Sequence, residues 1–311
     1  MSTISPSAPP VLHFPLPTPD AAELFVWFTV GDDGPPSERE LIDAGLAWIE
    51  THCDEPLRSR LAAAFGDSGL SAHVHPRSAV SGPNLEIAAR YRPPGWDRIS
   101  PTTTHAVHVH VASNDSVPPL AHWAAVGLAR GIARRVNGII MEPLAGRVES
   151  TDSIASRLPG DGRLHAVSTI TVVSSVDENN DGWLTCTGLR NFGLPELEIV
   201  KAPPRLIPIL GLLMNAVAQH VLDAMWRTAA GGADATVTLE VEPAISRRSF
   251  LEACGCDHGA DVDDRFVRVR FELRRRLKGH PFLTLVAPRG FRGGNAQWLR
   301  SVARRIGGPG R

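Results

Sequence analysis

Residues 105–112 read HAVHVHVA, and residues 118–138 read PPLAHWAAVGLARGIARRVNG. In the first run Val107, Val109 and Val111 alternate with His108 and His110, the period-2 pattern of a half-buried strand. The second run opens on Pro118-Pro119, whose fixed φ suits a first helical turn. It then places Ala121, Ala125, Leu128, Ala129 and Ile132 along one helical face. Asn137-Gly138 supplies residues that tolerate the left-handed conformation ending a helix. Strand, Pro-Pro and long apolar helix recur downstream, as Glu196–Lys201, then Pro203-Pro204, then a helix to about Trp226.

Outward from this motif the chain reads as short strands with interspersed helices. Phe25–Val30 is an apolar strand, and Ser37 with Glu40 forms a capping box before a helix through Leu41, Leu46 and Ile49. A second helix covers about Pro56–Phe65, and Leu70–His75 and Leu85–Arg92 alternate as strands. The polar stretch 146–163 lacks apolar periodicity and marks a domain boundary. Beyond it, Leu164–Ser175 and Trp183–Gly188 form a hairpin. Further strands follow at Thr236–Glu242, Phe266–Leu273 and Phe282–Ala287, and a helix spans about Asn295–Ile306. Consecutive strands with short turns predict an α+β protein, mainly antiparallel sheets with helices on one face. The recurring motif suggests two duplicated halves, residues 21–150 and 160–311, preceded by a flexible Pro-rich arm, 1–20.

The segments THAVHVHVASND (104–115), PPLAHWAAVGLARGIARRVNG (118–138) and TGLRNFGLPELEI (187–199) resemble stretches of uncharacterised bacterial proteins of unknown function. The resemblance spans about half of the chain as a pattern of spacing. It implies an α+β fold and transfers no active-site residue.

At 311 residues and 43% hydrophobic content the chain can bury a sizeable core. Four cysteines in this length do not make a disulfide framework. The N-terminus lacks a basic-then-apolar leader, and Leu206–Val217, broken by Pro208, Gly211 and Asn215, is too short to span a bilayer. The expectation is a cytoplasmic protein with no membrane partner.

His73-Val74-His75 and His108-Val109-His110 are the sharpest local feature. Residues two apart on a strand point the same way, so both pairs lie opposite the apolar face. Glu86, Arg90 and Arg92 occupy the equivalent side of the run between them. If these strands pair, one face shows His73, His75, Glu86, Arg90, His108 and His110, a group suited to ligand recognition. The competing chemistry is a metal-assisted hydrolase with the four imidazoles as ligands and Glu86 as base. No cofactor and no resident metal is assigned.

Charge is unevenly spread. Residues 265–311 hold twelve Arg, one Lys and one acid, Glu272, a net of +12; the preceding 264 residues carry 32 acids against 19 bases, a net of −13. Arg268, Arg270 and Arg274 alternate with Val267, Val269, Phe271 and Leu273, which makes one strand face a row of guanidinium groups. Arg289 and Arg292, in the loop before the last helix, could join them in holding an anion. Internal pairing with Glu240 and Glu242 on a neighbouring strand is the favoured reading, and a protein or other anionic partner is the alternative. Nucleic acid is disfavoured, because aromatic residues are not interleaved with the arginines.

Other motifs fall short of a chemistry. Cys254-Gly-Cys256-Asp-His258 offers three soft ligands where a structural zinc site needs four. Asp177–Gly182 matches the start of a calcium loop, but Gly188 stands where the bidentate Glu belongs. His122 and His220 read as partly buried helix residues, and Gly188–Pro195 as a compact turn with one projecting Arg190. No hydrolase, nucleotide or metalloprotease signature occurs. The sequence therefore predicts a non-catalytic binding or interaction module without naming its ligand.

Overall fold

A computed structural model of the chain describes residues 10–15, 22–64, 69–81, 85, 86, 89, 95–99, 102–111, 118–150, 165–229, 236–253, 266–275 and 281–307. The fold is α+β with mainly antiparallel sheets, and it divides into two compact units. One comprises 17–164 with 190–193; the other comprises 1–16, 165–189 and 194–311.

The N-terminal unit is built on a five-stranded antiparallel sheet. Its strands are β2 (Ala22–Phe28), β3 (Leu70–Pro76), β4 (His105–Val111), β5 (Ile139–Glu142) and β6 (Arg147–Ser150), in the order β3-β4-β2-β5-β6. Helices α1 (Glu38–His52) and α3 (Pro118–Val136) pack together on one face, with α2 (Glu55–Ala64) beside them. The capping box at Ser37 and Glu40 forms as the sequence requires, and Asn137 takes the left-handed conformation (φ 49°) that ends α3. Leu24, Val26 and Phe28 on β2 and Val107, Val109 and Val111 on β4 are all buried. With Ala72, they form the sheet's side of a core completed by Leu41, Trp123, Leu128 and Ile132.

Within the expected strand Leu85–Arg92, three residues depart from expectation and the others lie outside the described residues. Leu85, Glu86 and Ala89 are helical rather than extended. Leu-Glu-Ile-Ala-Ala-Arg is rich in good helix formers, and its apolar positions also fit a spacing of three to four residues. No strand therefore separates the two His-bearing segments: β3 pairs directly with β4.

The C-terminal unit contains β7 (Thr171–Val176), β8 (Gly182–Thr187), β9 (Glu196–Ala202), β13 (Arg270–Arg275) and β14 (Pro281–Val286), in the order β13-β14-β9-β8-β7. The β14–β9 pair is parallel and the others are antiparallel. A short helix, α4 (Ala166–Thr169), precedes β7. The long helix α5 (Ile207–Ala229) covers one sheet face, and α6 (Arg247–Ala253) and α7 (Asn295–Gly307) pack against it. Leu184, Leu197, Ile199, Leu283 and Leu285 bury that face beneath Leu210, Leu213, Met214 and Val217. The two sheets differ in strand order, so the recurring strand–Pro-Pro–helix motif is a shared local device rather than a shared connectivity.

Two smaller pairings complete this unit. Val11–Pro15, placed by sequence in a loose arm, is strand β1, antiparallel to β10 (Thr236–Glu240). Strand β11 (Ala244–Ser246) pairs with β12 (Phe266–Arg268). Helix α5 runs to Ala229, close to the end expected near Trp226. The segment Pro204–Thr228 is long and apolar enough to cross a membrane, yet half of it is buried inside the unit, as in a core helix.

Candidate functional site

The register of β3, β4 and β2 builds the site. His73 lies directly opposite His108, Ser71 opposite His110, and His75 opposite Ala106. Since opposed residues share a face, all four imidazoles project from one side of two adjacent strands. On the other flank of β4, Glu23 stands opposite His110 and Phe25 opposite His108. The rings form a run: His73–His75 and His75–His108 have centroids 6.4 Å apart, and His108–His110 6.1 Å. Phe25 stacks flat on His108, with centroids 4.8 Å apart and planes within 9°.

This face is divided into two chemistries. Toward β5 and β6 it is apolar: Phe25, Trp27, Met141 and Val148 cluster with Leu85 and Ile99 from the connection between β3 and β4. Arg77 lies over the Trp27 ring at 5.8 Å and donates to the Thr103 hydroxyl at 2.7 Å. The imidazoles occupy the β3 and β4 side, with the His73 side chain 54% exposed and that of His108 25% exposed. Burial pushes the His108 pKa down, opposed by the Glu23 carboxylate and reinforced by the neighbouring imidazoles.

Two carboxylates approach this run. Glu38, in the first turn of α1, has Oε1 3.4 Å from His73 Nδ1 and accepts the Ala72 N–H at 3.3 Å. Glu23 Oε1 stands 3.7 Å from His108 Nε2, beyond hydrogen-bonding distance. His108 Nε2 is buried and finds no hydrogen-bond partner.

Of the residues expected at this site, the fold brings His73, His75, His108 and His110 together. Glu86 is an exposed helical residue rather than a member of an intervening strand, which corrects the strand expected there. Arg90 lies outside the described residues, as do Cys254, Cys256 and His258. Glu23 and Glu38 were not anticipated; each reaches the run from a separate element, and only the tertiary pairing reveals them.

The arginine strand has its own partners. Glu272 accepts from Arg270 at 2.8 Å and Arg274 at 3.4 Å. Glu242 accepts the Arg289 N–H at 3.1 Å and lies 3.6 Å from its Nε. The expected neighbour strand is corrected: β10 pairs with β1, which sets Glu240 opposite Val11. Contact with β13 is made by backbone, from the Phe271 N–H to the Val241 carbonyl at 2.8 Å. Arg268, Arg274 and Arg292 are exposed. In the loop before α7, Asn295 Oδ1 accepts the Ala287 N–H and Gln297 Oε1 the Gly294 N–H, so the helix's own side chains take those amides.

Several polar groups are buried, His122 among them as expected and the others at positions the sequence did not mark. In the N-terminal unit, Asn191 donates to Glu142 Oε1 at 2.6 Å, His122 Nε2 lies 3.8 Å from the same oxygen, and the His122 ring meets the edge of Phe192. Arg130 pairs with Glu149 at 3.2 Å, both nearly buried. In the C-terminal unit, fully buried Glu198 accepts from Thr284 at 2.7 Å and from Trp183 Nε1 at 3.2 Å. Short side-chain hydrogen bonds make these groups parts of the packing. A pocket of about 570 Å³ opens between α1, α2 and α3, floored by Leu46, Ile49, Leu61 and Leu128. Arg58, at its rim, is engaged by Glu55 at 2.9 Å and the Glu50 carbonyl at 2.7 Å.

The Asp177–Gly182 loop is the tight turn of the β7–β8 hairpin, with Asp177 Oδ1 accepting the Asn179 and Asp181 N–H groups. Cys53 and Cys186 are buried free thiols, and burial pushes the Cys53 pKa up to about 11. Among the described residues no three His, Cys, Asp or Glu side chains already converge on a common metal position. Comparison with known proteins finds no family model, no curated protein and no solved structure that matches this chain, so its function rests on the chemistry of the site alone.

Proposed function

We propose that this chain is a non-catalytic binding module of the cytoplasm whose recognition surface is the imidazole half of the β3–β4–β2 face. The observation that carries this reading is the register that opposes His73 to His108 and lines four imidazoles along two strands. Strand backbones hold these side chains in place, so a ligand meets them without the cost of ordering a loop. Phe25 supplies a flat apolar wall beside His108, and Glu23 and Glu38 add acceptors at either side. The arginine strand is assigned to the fold rather than to binding, since Glu272 and Glu242 already engage Arg270, Arg274 and Arg289.

Histidine ring resonances report directly on this surface. The test is NMR of the full chain against dicarboxylates, nucleotides, polyamines, acidic and basic peptides and divalent cations. A panel member acting here shifts the rings of His73, His75, His108 and His110 while leaving His122 and His220, on α3 and α5, in place. Silence of those four rings across the panel rejects the proposal.

A further inference from the structure

We infer that Glu23, His108 and His110 bind one divalent late first-row cation, for which Zn²⁺ is the probe. The inference deepens the binding reading above and rests on it. Neutral imidazole nitrogens beside a carboxylate are a borderline donor set, suited to Zn²⁺ and its neighbours rather than to Mg²⁺ or Ca²⁺.

Geometry supports the choice of these three groups. Glu23 and His110 are directly opposed on antiparallel neighbours, and His108 lies two residues from His110 on the same face. Side chains opposed in this way start from Cβ atoms about 5 Å apart, close enough to share an ion. The 3.7 Å between Glu23 Oε1 and His108 Nε2 is too long for a hydrogen bond. Two ligands each about 2.1 Å from a tetrahedral ion are about 3.4 Å apart, so this pair is within a few tenths of an ångström of ligand spacing.

A second, independent observation points the same way. His108 Nε2 is buried without a hydrogen-bond partner, an unfavourable position for a ring nitrogen that coordination to a cation would satisfy. The third ligand needs movement. The His108 and His110 centroids are 6.1 Å apart, whereas two imidazoles on one tetrahedral ion have centroids about 5 Å apart. His110 is only partly buried, and a turn of its side chain closes that gap. His73 is not recruited, because its Nδ1 faces Glu38 on the far side of the run. Two histidines and one glutamate leave a fourth coordination position for water or a ligand atom.

The test is calorimetric titration of the full chain with Zn²⁺, paired with the absorption spectrum of the Co²⁺ form. One equivalent of Zn²⁺ is expected, with Co²⁺ d–d bands and no thiolate charge-transfer band. His110→Ala and Glu23→Gln should each weaken binding at least about tenfold, since even residues that only orient ligands cost that much when removed. Glu23→Gln keeps the side-chain shape and maintains the test if His110→Ala fails to fold. His105→Ala, on the same strand but the opposite face, should leave binding unchanged. Absence of binding overturns the inference, as does binding that survives both ligand variants, which would belong elsewhere, such as at Cys254, Cys256 and His258. If Zn²⁺ fails while another panel member shifts the four histidine rings, the recognition face stands and the cation falls; if nothing shifts them, both fall.

Discussion

Substituting Gly131 by alanine should destabilise the N-terminal unit, although alanine is the better helix former. Helices α1 and α3 cross at Gly45 and Gly131. A methyl group on Gly131 would overlap the Ala44 carbonyl oxygen and stand 2.6 Å from Gly45 Cα and 2.8 Å from Ala44 C. All three are backbone atoms, so no side chain can rotate away. Reaching an ordinary contact of 3.4 Å from 2.6 Å at Gly45 Cα requires the helices to part locally by at least 0.8 Å, and relieving the Ala44 oxygen requires more. That loosens the packing of Leu41, Trp48, Leu128 and Ile132. Overpacking of this kind costs about 1–3 kcal/mol, and the upper end applies when backbone must move. The helix-propensity gain from Gly to Ala returns about 1 kcal/mol. The net expectation is a loss of about 2 kcal/mol, or a Tm lower by about 4–8 °C for a unit of this size. Gly211 on α5 is the internal control, because a Cβ there meets nothing within 4 Å. Gly211→Ala should stabilise by about 0.5–1 kcal/mol. Urea unfolding of both variants, followed by far-ultraviolet circular dichroism, measures the two signs together. A Gly131→Ala midpoint at or above that of the parent protein would refute the close-crossing argument.

Two further outcomes follow from local structure. Ser37→Ala removes the acceptor of the Glu40 N–H and the hydroxyl bonded to Glu40 Oε2 at 2.7 Å, which should cost about 1 kcal/mol by the same unfolding assay, with Ser37→Thr recovering most of it. Stability should also fall on mild acidification, because burial holds the pKa values of His122 and His220 below the ordinary imidazole value. The unfolded chain takes up protons at these rings below about pH 6.5 that the folded chain refuses. Stability is therefore full above that pH and declines as pH drops from about 6.5 toward the lowered folded values, by up to about 1.4 kcal/mol per pH unit for each ring. Urea midpoints measured at pH 7 and pH 5 check this, and equal stability at the two would contradict the burial of both rings.

What sequence revealed and what it hid divide along the range of the interactions. The strand at 105–111, the helix from Pro118 and the Ser37 capping box depend on neighbours a few residues apart, and each forms where its pattern places it. The common face of the four histidines follows from strand periodicity alone. Strand order does not: β2 lies between β4 and β5, and β1 pairs with a strand more than two hundred residues away. Local chemistry cannot specify such pairings, because the decisive term is which apolar faces bury each other. The helical state of Leu85, Glu86 and Ala89, read from sequence as strand, has a related origin. A short alternating run with good helix formers such as Leu85, Glu86 and Ala89 satisfies both periods, and only the apolar cluster around Phe25 and Trp27, to which Leu85 belongs, settles the choice.

The same tertiary detail constrains how the His-bearing sheet can meet a partner. Strand β3 is an edge, and an exposed edge is ordinarily a template for another strand. Its outward amides fall on alternate residues, the set that includes Leu70, Ala72, Val74 and Pro76. The Ala72 N–H is already donated to Glu38, and Pro76 has none to give. The first turn of α1 thus does two tasks: Glu40 caps the helix, while Glu38 blocks the middle of the sheet edge and faces His73. A guest strand would find its ladder interrupted at the centre, which disfavours recognition by strand addition. With strand addition disfavoured at β3, the recognition proposed for this sheet falls to side chains on its face, among them the imidazoles of β3 and β4.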